Sequence, residues 1–398
     1  MNQYYATNRR KPTPVSLRGH NHYRQAFALF ALAFASLLPV QAKQVTARKA
    51  LDIARKYVMP NRQSIASAQT RAGKQQPIEP YYVFNDKHGK GFVVVSGDDA
   101  MGEILAYGDN GTLDTLNANP GVKFLLQAYR ERFAQLQQAP VTAQPATRAM
   151  PTYKTVAPLL SCKWNQDKPY NKKTGYDYTG CVATAIAQVM YYHKWPIQGK
   201  GENTYTVRSD NKVKHADFSK SYYDWANMKD EYTYYDPGTQ REQDAVAKLM
   251  SDVGIATYMQ YTPYLSGAQN ESAEKALREN FDYTTAFVSR SDEGLPAFTD
   301  IVRQELINGF PVYLSGSQRG GRGGHAWVTD GINEQGLFHM NFGWGGQGDA
   351  YFSLSTLSVA QSGNEFGGKP MTFSYGLIAI LAHPNKRNTK PIDPALLA

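Results

Sequence analysis

The sequence predicts an α+β protein in two folded parts: a small α+β unit, then a larger domain whose helical half packs on an antiparallel sheet half. Three observations carry that reading. Between about residues 156 and 385, helix-period apolar patterns come first and strand-like runs separated by glycine clusters follow. The stretch from Gln137 to Thr155 carries three prolines and few large apolar residues, as a linker between folded parts does. The aromatic content, 12% with 27 Tyr and 17 Phe, excludes a disordered chain and supplies large cores. At 398 residues, two or three domains fit.

The formal net charge of +9 is unevenly placed. Residues 1–42 hold 5 basic and no acidic side chains, residues 43–150 hold 14 and 9, and residues 151–398 hold 24 and 25. The larger domain therefore has no overall field for phosphate, and no nucleic-acid partner is expected. Two cysteines cannot build a disulfide scaffold or a Cys-rich zinc module.

Residues 1–42 read as an export signal. Arg9, Arg10, Lys11, Arg18 and Arg24 precede an apolar run from Ala26 to Val40, and Val40-Gln41-Ala42 offers small residues where a signal peptidase reads. The run is shorter than the roughly 20 residues that span a bilayer. The expected product is secreted, periplasmic or extracellular, with no membrane association after signal removal.

The small unit, residues 43–150, opens on TARKALDIARKYVMP. Ala50, Ile53, Ala54, Tyr57 and Val58 recur there at helical spacing, and Pro60 stops the pattern. YYVFND and GFVVVSGDD flank Lys87-His88-Gly89-Lys90 as a hairpin. Gly121 to Gln138 is helical again, with Val122, Leu125, Leu126, Tyr129 and Phe133 on one stripe. Arg148 and Lys154 make the linker at 137–155 a natural proteolytic target. In the domain of residues 151–398, helices are expected at Cys181–His193 and Gln243–Val253. Strands are expected at FPVYLSG, GHAWVTDGI, GLFHMNFGW, AYFSLS and GLIAILA, before a short C-terminal tail.

Chemistry concentrates at four places. Thr179-Gly180-Cys181 leads straight into the first of these helices, so Cys181 lies in its first turn. Free N–H groups and the helix dipole stabilise a thiolate there and make a better nucleophile. A buried, inert thiol is the commoner fate of a free cysteine. His325 starts a strand after the loop residues Gly320, Gly321, Gly323 and Gly324, which would let that loop shift over a bound chain. It lies 144 residues after Cys181, inside the roughly 130–150 that separate nucleophile and histidine in papain-like peptidases. One strand later, Asn341, Phe342 and Trp344 gather among glycines, as residues that orient or shield an imidazole would. Gln166 precedes Cys181 by 15 residues and brings a side-chain amide for an oxyanion.

The order WNQxxPYN, GCVATAIAQVMYYH, GGHAWVTDG and HMNFGWGG resembles the streptopain family of secreted bacterial cysteine peptidases, and YYVFN, GFVVVSGDD and EILAYG resemble that family's inhibitory propeptide. The resemblance implies a papain-like catalytic domain made as a zymogen. Cys181 would be the nucleophile, His325 the general base, Gln166 the oxyanion-hole residue and Trp344 an aromatic of the cleft wall. The chain departs from the family at Phe342, where streptopain has Trp. The role of holding the histidine is therefore shared among Asn341, Phe342 and Trp344. Expected partners are protein or peptide substrates and the chain's own propeptide as intramolecular inhibitor, and no cofactor or metal is expected.

Other residues weigh less. A Cys162–Cys181 bridge would consume the nucleophile. His193 lies three helical turns beyond Cys181, too far to serve it. Asp330 follows His325 by an odd offset, which in a continuous strand points it to the other face. His339 and His325 are at most half a metal site. A thiol amidase or transpeptidase acting on cell-wall peptides would use the same Cys–His pair, and a non-catalytic binding module would lack one of the two.

Overall fold

The order of elements follows the sequence pattern with additions. The computed structural model describes residues 44–73, 78–138, 153–262, 266–317, 324–355, 365–366, 369–370 and 376–396. The export-signal segment lies outside the described residues, as do Gly320, Gly321, Gly323 and Arg148.

The first part opens with helix α1 (Ala47–Ala54). The Thr46 side chain caps it by accepting from the Lys49 N–H, and Ala50, Leu51, Ile53 and Ala54 are buried. Helix α2 (Arg62–Gly73) follows, then strands β1 (Tyr81–Asn85), β2 (Phe92–Ser96) and β3 (Ile104–Gly108). β1 and β2 form the expected hairpin, and all five β2 residues are buried because Val93 and Val95 share a core with α1 while Phe92 and Val94 share another with the helix of residues 120–138. Helix α3 (Pro120–Gln138) begins one residue before the expected Gly121 and takes in Gln137 and Gln138, the first residues of the expected linker. Residues 139–152 of that linker lie outside the described residues.

The second part begins with helix α4 (Cys181–His193), whose residues Val182 through Tyr191 are all buried. A hairpin of β4 (Glu202–Thr206) and β5 (Val213–Asp217) leads to helix α5 (Gln240–Ala256), which starts on a full capping box between Thr239 and Glu242. Two-residue strands β6 (Gln260–Tyr261) and β7 (Ser266–Gly267) precede helix α6 (Asn270–Asn280) and strand β8 (Tyr283–Ser289). Helices α7 (Arg290–Glu293) and α8 (Leu295–Ile307) interrupt the region read as purely strand-like. Pro296 sits in the first turn of α8, and Phe298, Val302 and Leu306 are buried one turn apart. The remaining strands are β9 (Val312–Ser317), β10 (Gly324–Ile332), β11 (Phe338–Asn341), β12 (Ala350–Phe352), the short pair β13 (Glu365–Phe366) and β14 (Lys369–Pro370), and β15 (Gly376–Pro384). The tail beyond β15 is anchored by Ile392, which is buried.

One nine-stranded sheet runs through both parts in the order β1-β2-β3-β12-β11-β10-β9-β15-β8, every neighbouring pair antiparallel. The seam is β3 with β12, paired only at Tyr107–Tyr351 and Ala106–Phe352. The α+β fold of helices against an antiparallel sheet is as expected.

Two cores matter to the site. Helix α4 packs with α5, α6 and one sheet face through Val182, Ile186, Met190, Val253, Leu277 and Val328. On the other face, helix α3 of the first part shares a core with the second. Val122, Phe124, Leu125, Leu126, Tyr129 and Phe133 join Leu314, Trp327, Met340, Phe342 and Leu377. Each fully buried side chain of that size contributes about 1.5–3 kcal/mol, so α3 is held mainly by apolar burial. Phe124 lies 5.8 Å from Trp327, ring centre to ring centre, and over Gly316, where any Cβ would strike its ring.

Candidate active site

Cys181 stands at the first position of α4, behind Gly180, whose φ of 89° is the turn a side chain would resist. A Cβ on Gly180 would also lie 2.7 Å from the Met259 sulfur. Thr179, just before it, donates its N–H to the Gln166 carbonyl at 2.9 Å, which holds the Gln166 segment against the start of the helix. Gln166 is itself buried, and its N–H is taken by the Asn165 side chain at 2.8 Å. The Cys181 helix packs on strand β10, and the backbone N–H groups of Ala326, the residue after His325, and of its own helix turn favour the charged form of the Cys181 thiol. Helix α4 and strand β10 thus bring Cys181 and the His325 segment together across 144 residues of sequence.

His325 is buried, and its Nε2 lies 3.0 Å from the Phe342 carbonyl oxygen. A carbonyl only accepts, so Nε2 carries the proton and Nδ1 keeps its lone pair. Phe342 therefore meets the imidazole through its backbone, while its ring centre stands 6.4 Å away. The hydrogen bonds of the Asn341 amide go elsewhere than to the imidazole. Its Nδ2 donates to the Cys162 carbonyl at 2.8 Å, and its Oδ1 accepts from the Gly343 N–H at 3.1 Å. That N–H belongs to the same peptide unit as the Phe342 carbonyl, so Asn341 orients the acceptor rather than the ring. Trp344 is half-buried with its ring centre 6.5 Å from His325, and its Nε1 is buried without a partner. Gly324 begins β10 and is exposed.

Electrostatics corrects one expectation. The helix start was expected to favour a thiolate, yet burial pushes the Cys181 thiol up, and the N–H groups from Ala326, Val182 and Cys181 only partly oppose it. Burial likewise pushes His325 down to about 4, against the Phe342 hydrogen bond, which raises it. Burial thus opposes the charged form of both groups.

The first part of the chain lies against His325, as its reading as an intramolecular inhibitor expects. Pro120 and Gly121 open α3 directly against it: a Cβ on Gly121 would overlap the Phe342 ring and lie 2.9 Å from His325 Cδ2. Asn119 accepts the Val122 N–H at 2.9 Å as a helix cap and donates its Nδ2 to the Gln347 carbonyl at 2.6 Å, on the loop that carries Trp344. These contacts span more than 200 residues, and no local pattern announces them.

The remaining residues fall as follows. Cys162 and Cys181 are both free, and Cys162 is buried with its thiol raised well above its ordinary range. Asp330 is buried at a bulge in β10, where its carboxylate takes His339 Nδ1 at 2.6 Å and the Leu160 N–H at 2.9 Å, so it serves neither His325 nor a metal. Among the described residues no group of three or more metal-ligating side chains occurs. A cavity of about 790 Å³ opens beside the Gln166 segment, lined by Asn165, Asp167, Tyr176 and Tyr232, and excludes Cys181 and His325.

A helix-start cysteine facing a strand histidine across a helix–sheet boundary defines a papain-like cysteine peptidase. The chain belongs to the Peptidase C10 family, whose pattern matches residues 164–352, and residues 42–133 match the Spi protease inhibitor family. It is 34% identical to streptopain of Streptococcus pyogenes serotype M28 over 310 residues, covering 72% of this chain and 76% of that protein. It is 29% identical to the thiol protease/hemagglutinin PrtT of Porphyromonas gingivalis, covering 86% of this chain and 42% of that protein. A solved fragment of prointerpain A from Prevotella intermedia superposes with a TM-score of 0.63 at 32% identity, covering 77% of this chain and 95% of that one. The protein is a streptopain-like cysteine peptidase that carries an inhibitor-type propeptide.

Proposed function

We propose that the chain is exported as a latent zymogen and matures into an endopeptidase acting on proteins. Residues 43–150 are the inhibitory propeptide, residues 151–398 the catalytic domain, and the cut falls in the 137–155 linker. The Cys181 thiolate, paired with the His325 imidazolium, attacks a peptide carbonyl. The oxyanion is held by the Cys181 N–H and the Gln166 amide, at about 3 kcal/mol per donor. His325 then protonates the leaving amine, and water hydrolyses the thioester. The observation that supports this reading is the packing of the helix that starts at Cys181 against strand β10, which carries His325 at its start.

Latency follows from the same geometry. Propeptide helix α3 abuts His325 through Gly121, and the burial it helps to impose favours the uncharged pair, which is a poor nucleophile. Removing the propeptide readmits water and substrate and restores the ion pair.

The test compares wild type with Cys181→Ala. Wild type trims itself and then cleaves casein, iodoacetamide abolishes the activity and EDTA does not, while the variant persists as proform. Equal trimming of the purified variant, or activity that survives alkylation, overturns the proposal. Peptide-library cleavage separates a protein-degrading enzyme from an amidase or transpeptidase confined to cell-wall peptides.

A further inference from the structure

The Phe342 carbonyl can hold His325 only if the backbone on both sides of it is fixed. Asn341 fixes the peptide after Phe342. The peptide before it is fixed by Asp349, whose Oδ1 accepts the Phe342 N–H at 2.9 Å. Asp349 stands just ahead of β12, at the far end of the loop that carries Trp344, and its own N–H reaches the Gly346 carbonyl at 3.3 Å. Its carboxylate thus closes the base of that loop and lies one residue's backbone from the imidazole.

We infer that Asp349 is a positioning residue for His325, acting through the backbone of Phe342 and contributing negative charge beneath the imidazolium formed in catalysis. The inference rests on the Cys181–His325 reading above. A carboxylate suits the place better than a neutral amide for two reasons. A charged acceptor makes a hydrogen bond roughly twice as strong, and successive bonds polarise one another. Once the carboxyl is ionised, at the neutral to alkaline pH where the imidazolium deprotonates, its negative charge also favours the protonated imidazole over the neutral one. The charged groups facing Asp349 are His339 of β11, Asp330 of β10 and Lys163, with Asp109 of the propeptide acting on His339. Burial pushes the Asp349 carboxyl up to about 6, and Asp330 adds to the rise, whereas the Phe342 N–H, His339 and Lys163 favour the carboxylate.

The experiment uses full-length Asp349→Ala and Asp349→Asn, each matured in trans by a trace of wild-type enzyme, and follows kcat and KM on a peptide substrate from pH 4 to 9. In Asp349→Ala, kcat falls about 100-fold with little change in KM, the size of effect expected when a catalytic group is misplaced by about 1 Å. Asp349→Asn keeps an acceptor for the Phe342 N–H and recovers kcat to within about tenfold of wild type. It lacks the charge, so the alkaline limb of its profile, where the imidazolium deprotonates, moves to lower pH. Wild-type kcat in Asp349→Ala, or an unmoved alkaline limb in Asp349→Asn, overturns the inference. If melting curves show that the alanine variant does not fold, the asparagine profile alone decides. A Cys181→Ala enzyme that remains active after trans-maturation overturns the underlying reading instead, whatever the Asp349 variants do.

Discussion

Gly121, in the first turn of the propeptide's long helix, lies against Phe342 so closely that a single added methyl group would overlap the aromatic ring. It thereby holds the propeptide backbone within reach of His325. Because Phe342 also lends its carbonyl to that histidine, one residue links the inhibitor to the proposed general base.

Gly121→Ala therefore tests how the zymogen is held. Alanine favours a helix over glycine by about 1 kcal/mol, but it does so whether or not the helix is docked. The overlap with Phe342 arises only in the docked state, and overpacking of this kind costs about 1–3 kcal/mol. Docking weakens, and the expected outcome is self-activation roughly tenfold faster than wild type, followed as appearance of the mature band. An unchanged half-time would show that the helix start does not bear on latency.

The seam between the two parts has its own probe. The Tyr129 hydroxyl donates to the Leu105 carbonyl at 3.0 Å and the Ser353 carbonyl at 2.9 Å, joining propeptide helix, propeptide strand and catalytic chain. Tyr129→Phe removes that bond and costs about 1 kcal/mol. Thermal denaturation of the Cys181→Ala proform should show the loss. The trans-matured enzyme, which no longer contains residue 129, should melt as wild type does.

Acid should loosen the proform. His325 is pushed from 6.5 down to about 4 by burial. The unfolded chain therefore binds its proton first as pH falls. The stability associated with a neutral His325 is fully present above pH 6.5 and is lost progressively toward pH 4, on the order of 3 kcal/mol in total. His193, half-buried and pushed down to about 3 mainly by desolvation, acts in the same direction. Urea midpoints of the Cys181→Ala proform at pH 7.5 and pH 4.5 measure the change. A midpoint that rises at pH 4.5 would refute the assignment.

The two thiols should differ in reactivity. Cys162 is only 2% exposed and its thiol is raised well above the usual range, so the folded protein should take up no label there. Intact-mass analysis after iodoacetamide should give one adduct on the matured enzyme, at Cys181, formed much faster than on the proform. A second adduct should appear only in denaturant.

Local chemistry was legible in the sequence and distant packing was not. Gly180-Cys181 at a helix start and His325 at a strand start are each written within a few residues, and the structure puts them where those patterns say. Helix α8 falls in the stretch expected to be strand-like, although Phe298, Val302 and Leu306 recur one turn apart behind a glycine N-cap and a first-turn proline. Asn341 and Phe342 were picked out for the right neighbourhood, but which of their atoms does what depends on peptide orientation, which composition does not encode. Gly121 and Asp349 carry no local signal at all. Their significance lies wholly in what the folded chain brings alongside them.

Strand β12 is three residues long and joins the propeptide's sheet through two residue pairs. Cutting the propeptide away turns it into an open border of the sheet. An unpaired ladder of backbone donors and acceptors invites another chain to add on, and a long flat one seeds aggregation. A border of three residues offers too few rungs for that, so the mature enzyme can shed its partner strands without becoming a template for its own copies.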